Sequence, residues 1–209
     1  MKNLDNIRNI FWDFDGVIMD SMPVRNKGFE IVLKDFPEEQ VDELMKFHLE
    51  NGGLSRYVKF RYFFEEVRNE KVSEQKIKKL ASEFSKIMKE LLVDESLLIA
   101  DSLNFIKKNH LNYKMHVVSG SDQAELRFLC NELEIVQYFI SIHGSPTPKK
   151  ELVKNLLLDY QYLKENCVLI GDSINDYDAA STNQINFIGY NSIDLKDKGR
   201  SYISSFSVL

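Results

Sequence analysis

From about residue 97 onward, short apolar runs alternate with stretches of helical periodicity, and no other feature restricts the fold as much. A helix around Leu97 to Asn109 precedes the run Lys114 to Val118, and a helix opening near Asp122 precedes a run near Tyr138 to Ile142. A helix near Lys150 to Leu163 precedes Cys167 to Ile170, and a short helix near Asp176 to Ala180 precedes Asn186 to Gly189. Glu125 stands three residues after Asp122, the spacing of a capping box. Apolar runs of this length, bounded by turn signals, read as strands buried on both faces. Strands separated by helices imply right-handed crossovers, so the expected fold is α/β: a Rossmann-like doubly wound parallel sheet covered on both sides.

One strand of this kind stands far from the others. Ile7 to Trp12 runs into Asp13-Phe14-Asp15-Gly16, and the next strand begins only near Lys114. Between them the pattern is helical, most clearly at Ile77, Leu80, Ala81, Phe84, Ile87, Met88 and Leu91, whose steps of three and four form one apolar stripe. Breaks fall at Pro37 and Gly52-Gly53. The expected organisation is a core domain from residues 1–18 and 95–209, with residues 19–94 inserted as an all-helical unit. The chain shows no internal repeat or low-complexity tract.

Composition narrows the partners. Lysine and arginine number 27 against 32 aspartates and glutamates, a net charge of −5, which argues against nucleic acid or an anionic membrane as a partner held by overall charge. At 44% hydrophobic and 28% charged residues the chain can bury a core. The longest apolar runs fall far short of the roughly 18 to 20 residues of a membrane helix, and Met1 to Asn9 contains no signal-peptide core. A cytoplasmic location is expected, as a monomer or homodimer. Cys130 and Cys167 lie in apolar surroundings without metal-ligand spacing and read as inert thiols.

Parallel sheets of this type bind ligands at the carboxyl ends of their strands. There the chain places Asp13 and Asp15, then Ser119-Gly120, then Gly171-Asp172 with Asn175 and Asp176 opening the next helix; Lys149 follows the third strand by a short loop. Asp13 and Asp15 are two apart, so an extended chain puts both side chains on one face. Several carboxylates this close repel one another unless a cation sits among them, and an all-oxygen set next to phosphate suits Mg²⁺. Ser119 and the backbone N–H groups around Gly120 can hold phosphate oxygens. Lys149 can neutralise a transferring phosphoryl group, although Lys150 lies beside it and a lysine pair also suits solvated surface; Asp176 taken alone also suits a helix cap, the lesser reading for it and a remote one for the whole acidic set. Together the set describes phosphoryl transfer, with one aspartate attacking phosphorus and a second acting as acid and then base.

Asp13-Phe14-Asp15-Gly16-Val17 resembles the first motif of the haloacid dehalogenase-like superfamily, Val117-Val118-Ser119-Gly120 the second, Lys149 the third, and Gly171-Asp172-Ser173-Ile174-Asn175-Asp176 the fourth. The resemblance extends along the chain to Tyr202-Ile203-Ser204-Ser205-Phe206, similar to a closing edge segment. It implies Asp13 as nucleophile and Mg²⁺ ligand, Asp15 as general acid/base with its carbonyl on the metal, Asp172 as a further ligand, and Asp176 supporting the metal or the lysine. It implies Ser119 as a phosphate ligand and Lys149 as the bridge between phosphate and nucleophile. The helical insert is similar to the small cap of the phosphoglycolate phosphatase and β-phosphoglucomutase branch. Gly52-Gly53-Leu54-Ser55-Arg56 resembles the cap loop that enters the site, so Arg56 reads an anionic group on the leaving portion or else lies on the surface after a helix stop.

Departures sharpen the expectation. Asp15 stands where true haloacid dehalogenases lack a second aspartate, and Arg25 takes the place of the histidine found in phosphomutases of this branch. The expected function is a Mg²⁺-dependent phosphatase acting on a small phosphorylated metabolite, a sugar phosphate or phosphoglycolate-like acid, through an aspartyl-phosphate. The alternatives are a sugar phosphomutase and a non-catalytic or receiver-like phosphate-binding protein, the receiver disfavoured by motif order and by the helical insert. His48, His110, His116 and His143 are expected to pack or face solvent away from the site.

Overall fold

A computed structural model describes residues 4–208. Six strands, β1 (Asn9–Trp12), β2 (Lys114–Asp122), β3 (Ser141–Ser145), β4 (Cys167–Gly171), β5 (Asn186–Tyr190) and β6 (Ser201–Ile203), form one sheet in the order β3-β2-β1-β4-β5-β6. Every pairing is parallel. Because β1 is flanked by β2 and β4, the strand order reverses at β1, and the crevice beyond its carboxyl end is the switch point where such sheets bind ligands. Register brings the chemistry there: Trp12 pairs with Val117 on one side and Ile170 on the other, so the residues following them arrive level.

Both faces of the sheet are buried, as crossover helices require. Along β1, Ile10 and Trp12 enter one apolar cluster with Phe105, Leu126 and Phe206, whereas Phe11 enters the other with Leu152, Leu156 and Ala180. The core helices are α5 (Ala100–Asn109), α6 (Gln123–Glu132), α7 (Lys149–Asp159) and α8 (Ile174–Asn183). Between β1 and α5 lie α1 (Met22–Val32), α2 (Glu38–Glu50), α3 (Arg56–Tyr62) with a π-helical turn at Phe63–Val67, and α4 (Glu74–Leu91). Their interior is aromatic: the rings of Phe29 and Phe84 lie 4.5 Å apart, and those of Phe36 and Phe63 5.2 Å apart. The two chain segments that join these four helices to the sheet run side by side, Asp20 N–H donating to Leu97 O at 2.8 Å and Ile99 N–H to Ile18 O at 2.9 Å.

Several boundaries differ from the sequence expectation. β3 begins at Ser141, not near Tyr138, because Val136–Tyr138 forms a 3-10 turn and the strand continues through the polar residues His143, Gly144 and Ser145. β2 continues to Asp122, past a register shift between Val118 and Asp122. α5 starts at Ala100, after a 3-10 turn at Glu95–Leu97. α7 starts on Lys149 behind Pro148 and stops at Asp159, shortly before Gln161 takes a positive φ of 53°. α8 is longer than expected, Ile174–Asn183. Among the described residues no helix is long and apolar enough to cross a membrane. Cys130 and Cys167 are buried free thiols, and burial raises both pKa values.

Candidate active site

β1 delivers Asp13 to the switch point, where its N–H donates to Ile170 O at 2.9 Å and its Oδ1 accepts from Phe14 N–H at 2.8 Å. The chain then turns tightly, Met19 N–H bonding Phe14 O at 3.0 Å. Gly16 carries that turn at a φ of +73°, and a Cβ there would lie 1.9 Å from Asp172 Oδ2. The loop after β1 and the loop after β4 therefore approach closely enough that only glycine fits.

Asp13 is 3% exposed. Lys149, the first residue of α7, sets its Nζ 2.9 Å from Asp13 Oδ1 and also pairs with Asp176. Asp176 both caps and pairs: its Oδ2 accepts from Ser173 N–H at 3.1 Å and Ser173 Oγ–H at 2.6 Å, while Oδ1 takes the lysine. Of the two adjacent lysines, Lys149 is buried and Lys150 faces solvent. Asp13, Asp172 and Asp176 each offer a carboxylate oxygen, all within 4.8 Å of one another.

Electrostatics follow from this crowding. Burial, then Asp176, push the pKa of Asp13 well up against the opposing pull of Lys149. The same two causes lift Asp172 to about 7. Burial works against the charge on Lys149, but Asp13 and Asp176 overcome it and raise its pKa. Asp172 meets no side-chain donor among the described residues. A group of carboxylate oxygens, two of them buried and that of Asp172 half-buried, that one lysine does not neutralise fits a divalent cation with oxygen preference.

The Asp15 carboxylate points elsewhere. It accepts from Arg25 Nε at 2.6 Å, from Ser121 Oγ at 2.6 Å and from Ser21 Oγ. Burial would raise its pKa, yet Arg25 and the two serines hold it below the usual carboxylate range. Ser119 is fully buried, with Oγ accepting from Ser121 N–H at 3.0 Å. A Cβ on Gly120 would meet Gly53 O at 2.3 Å, and one on Gly53 would meet Ser173 Oγ at 2.7 Å. The Gly52-Gly53 loop is thus wedged between the end of β2 and the start of α8.

Arg56 is buried beside this loop. Its guanidinium forks onto Glu125, at 2.5 and 2.9 Å, donates to Ser85 Oγ at 2.7 Å and lies over the Phe84 ring. Glu125 corrects the capping-box expectation. Asp122 does cap α6, through the N–H groups of Ala124 and Glu125, but the Glu125 side chain turns inward to Arg56 and to Arg25 Nη1 at 3.1 Å. His48 is a second correction, since it lines the central cavity. Its Nδ1 lies in hydrogen-bond contact with Lys59 Nζ at 2.7 Å, burial lowers the pKa values of both groups, and Phe29 packs 4.7 Å from the ring. Some of these residues were traceable: Ser121 lies two past Ser119 on a strand, and Arg25 and His48 share helix faces with Phe29 and Leu44. Nothing local marked Lys59 or the partner of Glu125.

The cavity encloses about 470 Å³, with Asp13, Asp15 and Asp172 on its sheet side and Arg25, His48, Arg56 and Lys59 on its helical side. The family profile of haloacid dehalogenase-like hydrolases matches residues 10–190. The chain belongs to that family. The haloacid dehalogenase-like fold recurs in β-phosphoglucomutase from Clostridium difficile, at TM-score 0.76 and 18% identity over 97% of this chain and 93% of that one. CbbY from Rhodobacter sphaeroides, in complex with phosphate, gives TM-score 0.74 at 15% identity over 96% and 95%. YfnB from Bacillus subtilis, bound to magnesium, gives 0.70 at 16% over 97% and 96%. No curated protein sequence matches significantly.

Proposed function

We propose that this haloacid dehalogenase-like hydrolase is a Mg²⁺-dependent phosphatase of a small phosphorylated metabolite. The observation that carries the reading is the meeting of Asp13, Lys149, Asp172 and Asp176 at the strand switch point, beside Asp15 held on its own set of donors. Asp13 and Asp172, with Asp176 behind them and the Asp15 carbonyl, are the groups to hold the ion. When bound, Mg²⁺ supplies positive charge that offsets carboxylate repulsion and draws electron density from the phosphoryl oxygens.

An Asp13 oxygen attacks phosphorus, the bond from phosphorus to the leaving oxygen breaks, and Asp15, which must first take up a proton against the pull of Arg25 and the two serines, gives that oxygen a proton. Water then loses a proton to Asp15 and attacks the aspartyl-phosphate, which frees inorganic phosphate and restores Asp13. The ionised Asp15 favoured by Arg25, Ser121 and Ser21 is the form this second half requires. Lys149 holds its charge between Asp13 and Asp176, where equatorial phosphoryl oxygens would collect. Ser119 and the N–H groups around Gly120 complete the phosphate cradle, and the helices over the cavity exclude water from the first half.

Phosphate release from a panel of phosphorylated metabolites, with Mg²⁺ and with EDTA, tests the reading. Turnover is expected only with metal, and Asp13→Asn is expected to abolish it. Metal-independent turnover, or full activity in Asp13→Asn, overturns the mechanism. Conversion of a sugar monophosphate to its isomer without net phosphate release would assign a phosphomutase instead.

A further inference from the structure

The Asp15 carboxylate is gripped at both oxygens, and both grips trace back to one short stretch of the core, Ser121 to Glu125. Ser121, near the end of β2, donates directly to Oδ2 at 2.6 Å. Arg25 Nε lies on Oδ1 at 2.6 Å, and the same guanidinium turns its Nη1 to Glu125, in the first turn of α6, at 3.1 Å. Arg25 belongs to α1 of the helical insert, so its long side chain crosses toward the sheet and needs an anchor there. Among the described residues Asp15 and Glu125 are the only acceptors its guanidinium meets, and its Nη2 is buried without one.

Glu125 is built to be that anchor. It is fully buried. The start of α6 is fixed by Asp122, which accepts from the N–H groups of Ala124 and Glu125 and from Tyr57 OH at 2.8 Å. Arg56 closes on both Glu125 oxygens, at 2.5 and 2.9 Å, and is itself held by Ser85 Oγ. Two guanidiniums buried around one carboxylate are a poor device for stability, because desolvation consumes most of the attraction and apolar residues of the same volume commonly serve a fold as well. What the triad supplies is a fixed place for each charge. The place that matters is that of Arg25 Nε on Asp15, since a proton donor must lie within about 2.6 to 3.2 Å of the atom it serves, and a misplacement of about 1 Å costs about a hundredfold.

We propose that Glu125 is a positioning residue for the general acid/base: through Arg25 it fixes Asp15 Oδ1 as Ser121 fixes Oδ2, so that the proton reaches the leaving oxygen along a set line. Glu125 does not line the cavity, so it acts through Arg25 and not on the substrate. The role rests on the phosphatase reading and adds to it a residue whose partner lies 100 positions away in the chain.

Two aryl phosphates of similar shape separate this role from a structural one. The p-nitrophenyl ester releases a stable phenolate and scarcely needs a proton, whereas the phenyl ester depends on one, and kcat/KM reports the step in which that bond breaks. With Mg²⁺, at a temperature where the circular dichroism of each variant matches the parent, Glu125→Gln is expected to lose at least about tenfold more kcat/KM on phenyl phosphate than on p-nitrophenyl phosphate, general acid catalysis contributing about 10²- to 10⁴-fold in full. Glu125→Asp keeps the charge but withdraws it by one methylene; it is expected to lose in the same sense by a smaller ratio, and it stands in if the glutamine variant does not fold. Arg56→Met disturbs the same buried network but leaves Glu125 to Arg25, so its losses on the two esters are expected to be equal. Equal losses on both esters in the Glu125 variants, or an unequal loss as large in Arg56→Met, overturn the positioning role while the phosphatase reading stands. A parent enzyme that releases phosphate from neither ester would instead refute the phosphatase reading and the role with it.

Discussion

Glu125→Gln removes one negative charge from a deeply buried ion network while keeping its shape. Glu125 is fully buried on α6 and answers two guanidiniums, Arg56 at 2.5 and 2.9 Å and Arg25 at 3.1 Å. With glutamine there, Arg56 retains Ser85 Oγ and the Phe84 ring but no counter-charge, and Arg25 retains only Asp15. Leaving a buried charge uncompensated costs about 3 to 5 kcal/mol. For a chain of this size each kcal/mol moves the melting temperature by about 2 to 4 °C, so a drop of roughly 6 to 20 °C is expected. Calorimetric melting and urea titration read it directly. The double variant Glu125→Leu/Arg56→Leu should recover part of the loss, because it removes charge and counter-charge together. A Glu125→Gln protein that melts within a degree or two of the parent would refute the claim that this network is dry and coupled.

Other outcomes follow from the carboxylate end. The Asp172 pKa is raised from 3.8 to about 7, so between these values the folded state holds a proton that the unfolded chain has released, and metal-free stability falls as pH rises through that window. The loss is on the order of 4 kcal/mol at most; melting in EDTA should be lower near pH 7.5 than near pH 5.5, Asp172→Asn should flatten the slope, and Mg²⁺ should raise stability more at the higher pH. Gly16→Ala meets both a φ of +73° and the Asp172 carboxylate at 1.9 Å; it should cost more than about 1 kcal/mol and weaken Mg²⁺ binding in a calorimetric titration. Lys149→Met leaves Asp13 and Asp176 facing each other without their shared cation; phosphatase kcat should fall by at least about 10²-fold, measured on whichever phosphomonoester is turned over.

What the amino-acid sequence revealed and what it concealed divide along physical lines. Strands β1, β4 and β5 were legible because both their faces are buried, so β4 is an unbroken apolar run, Cys167–Gly171, and β1 and β5 are apolar after a leading asparagine. β3 was displaced by about three residues because Ile142 is its one apolar residue and its pairing is set by the sheet rather than by composition. The acidic positions were legible because strand ends are fixed by the same register that pairs Trp12 with Val117 and Ile170. Lys149 could not be separated from Lys150 by spacing; Pro148 decides it, since α7 begins directly behind it. The helical side was largely hidden. Glu125 satisfied a local capping pattern, yet its energy lies with Arg56, 69 residues away. His48 followed an ordinary apolar stripe with Val41 and Leu44, and only the three-dimensional arrangement shows that its ring meets Lys59 rather than more hydrocarbon.

The central claim is that the carboxylate at residue 13 becomes phosphorylated, as an acyl phosphate, during turnover. Acid quench of the enzyme during steady-state hydrolysis, followed by peptide mass mapping, tests it most directly. The account predicts one phosphoryl group on the peptide containing Asp13, present with Mg²⁺ and lost in Asp13→Asn. Phosphate released in the same reaction with residue 13 unlabelled at every quench time would contradict it.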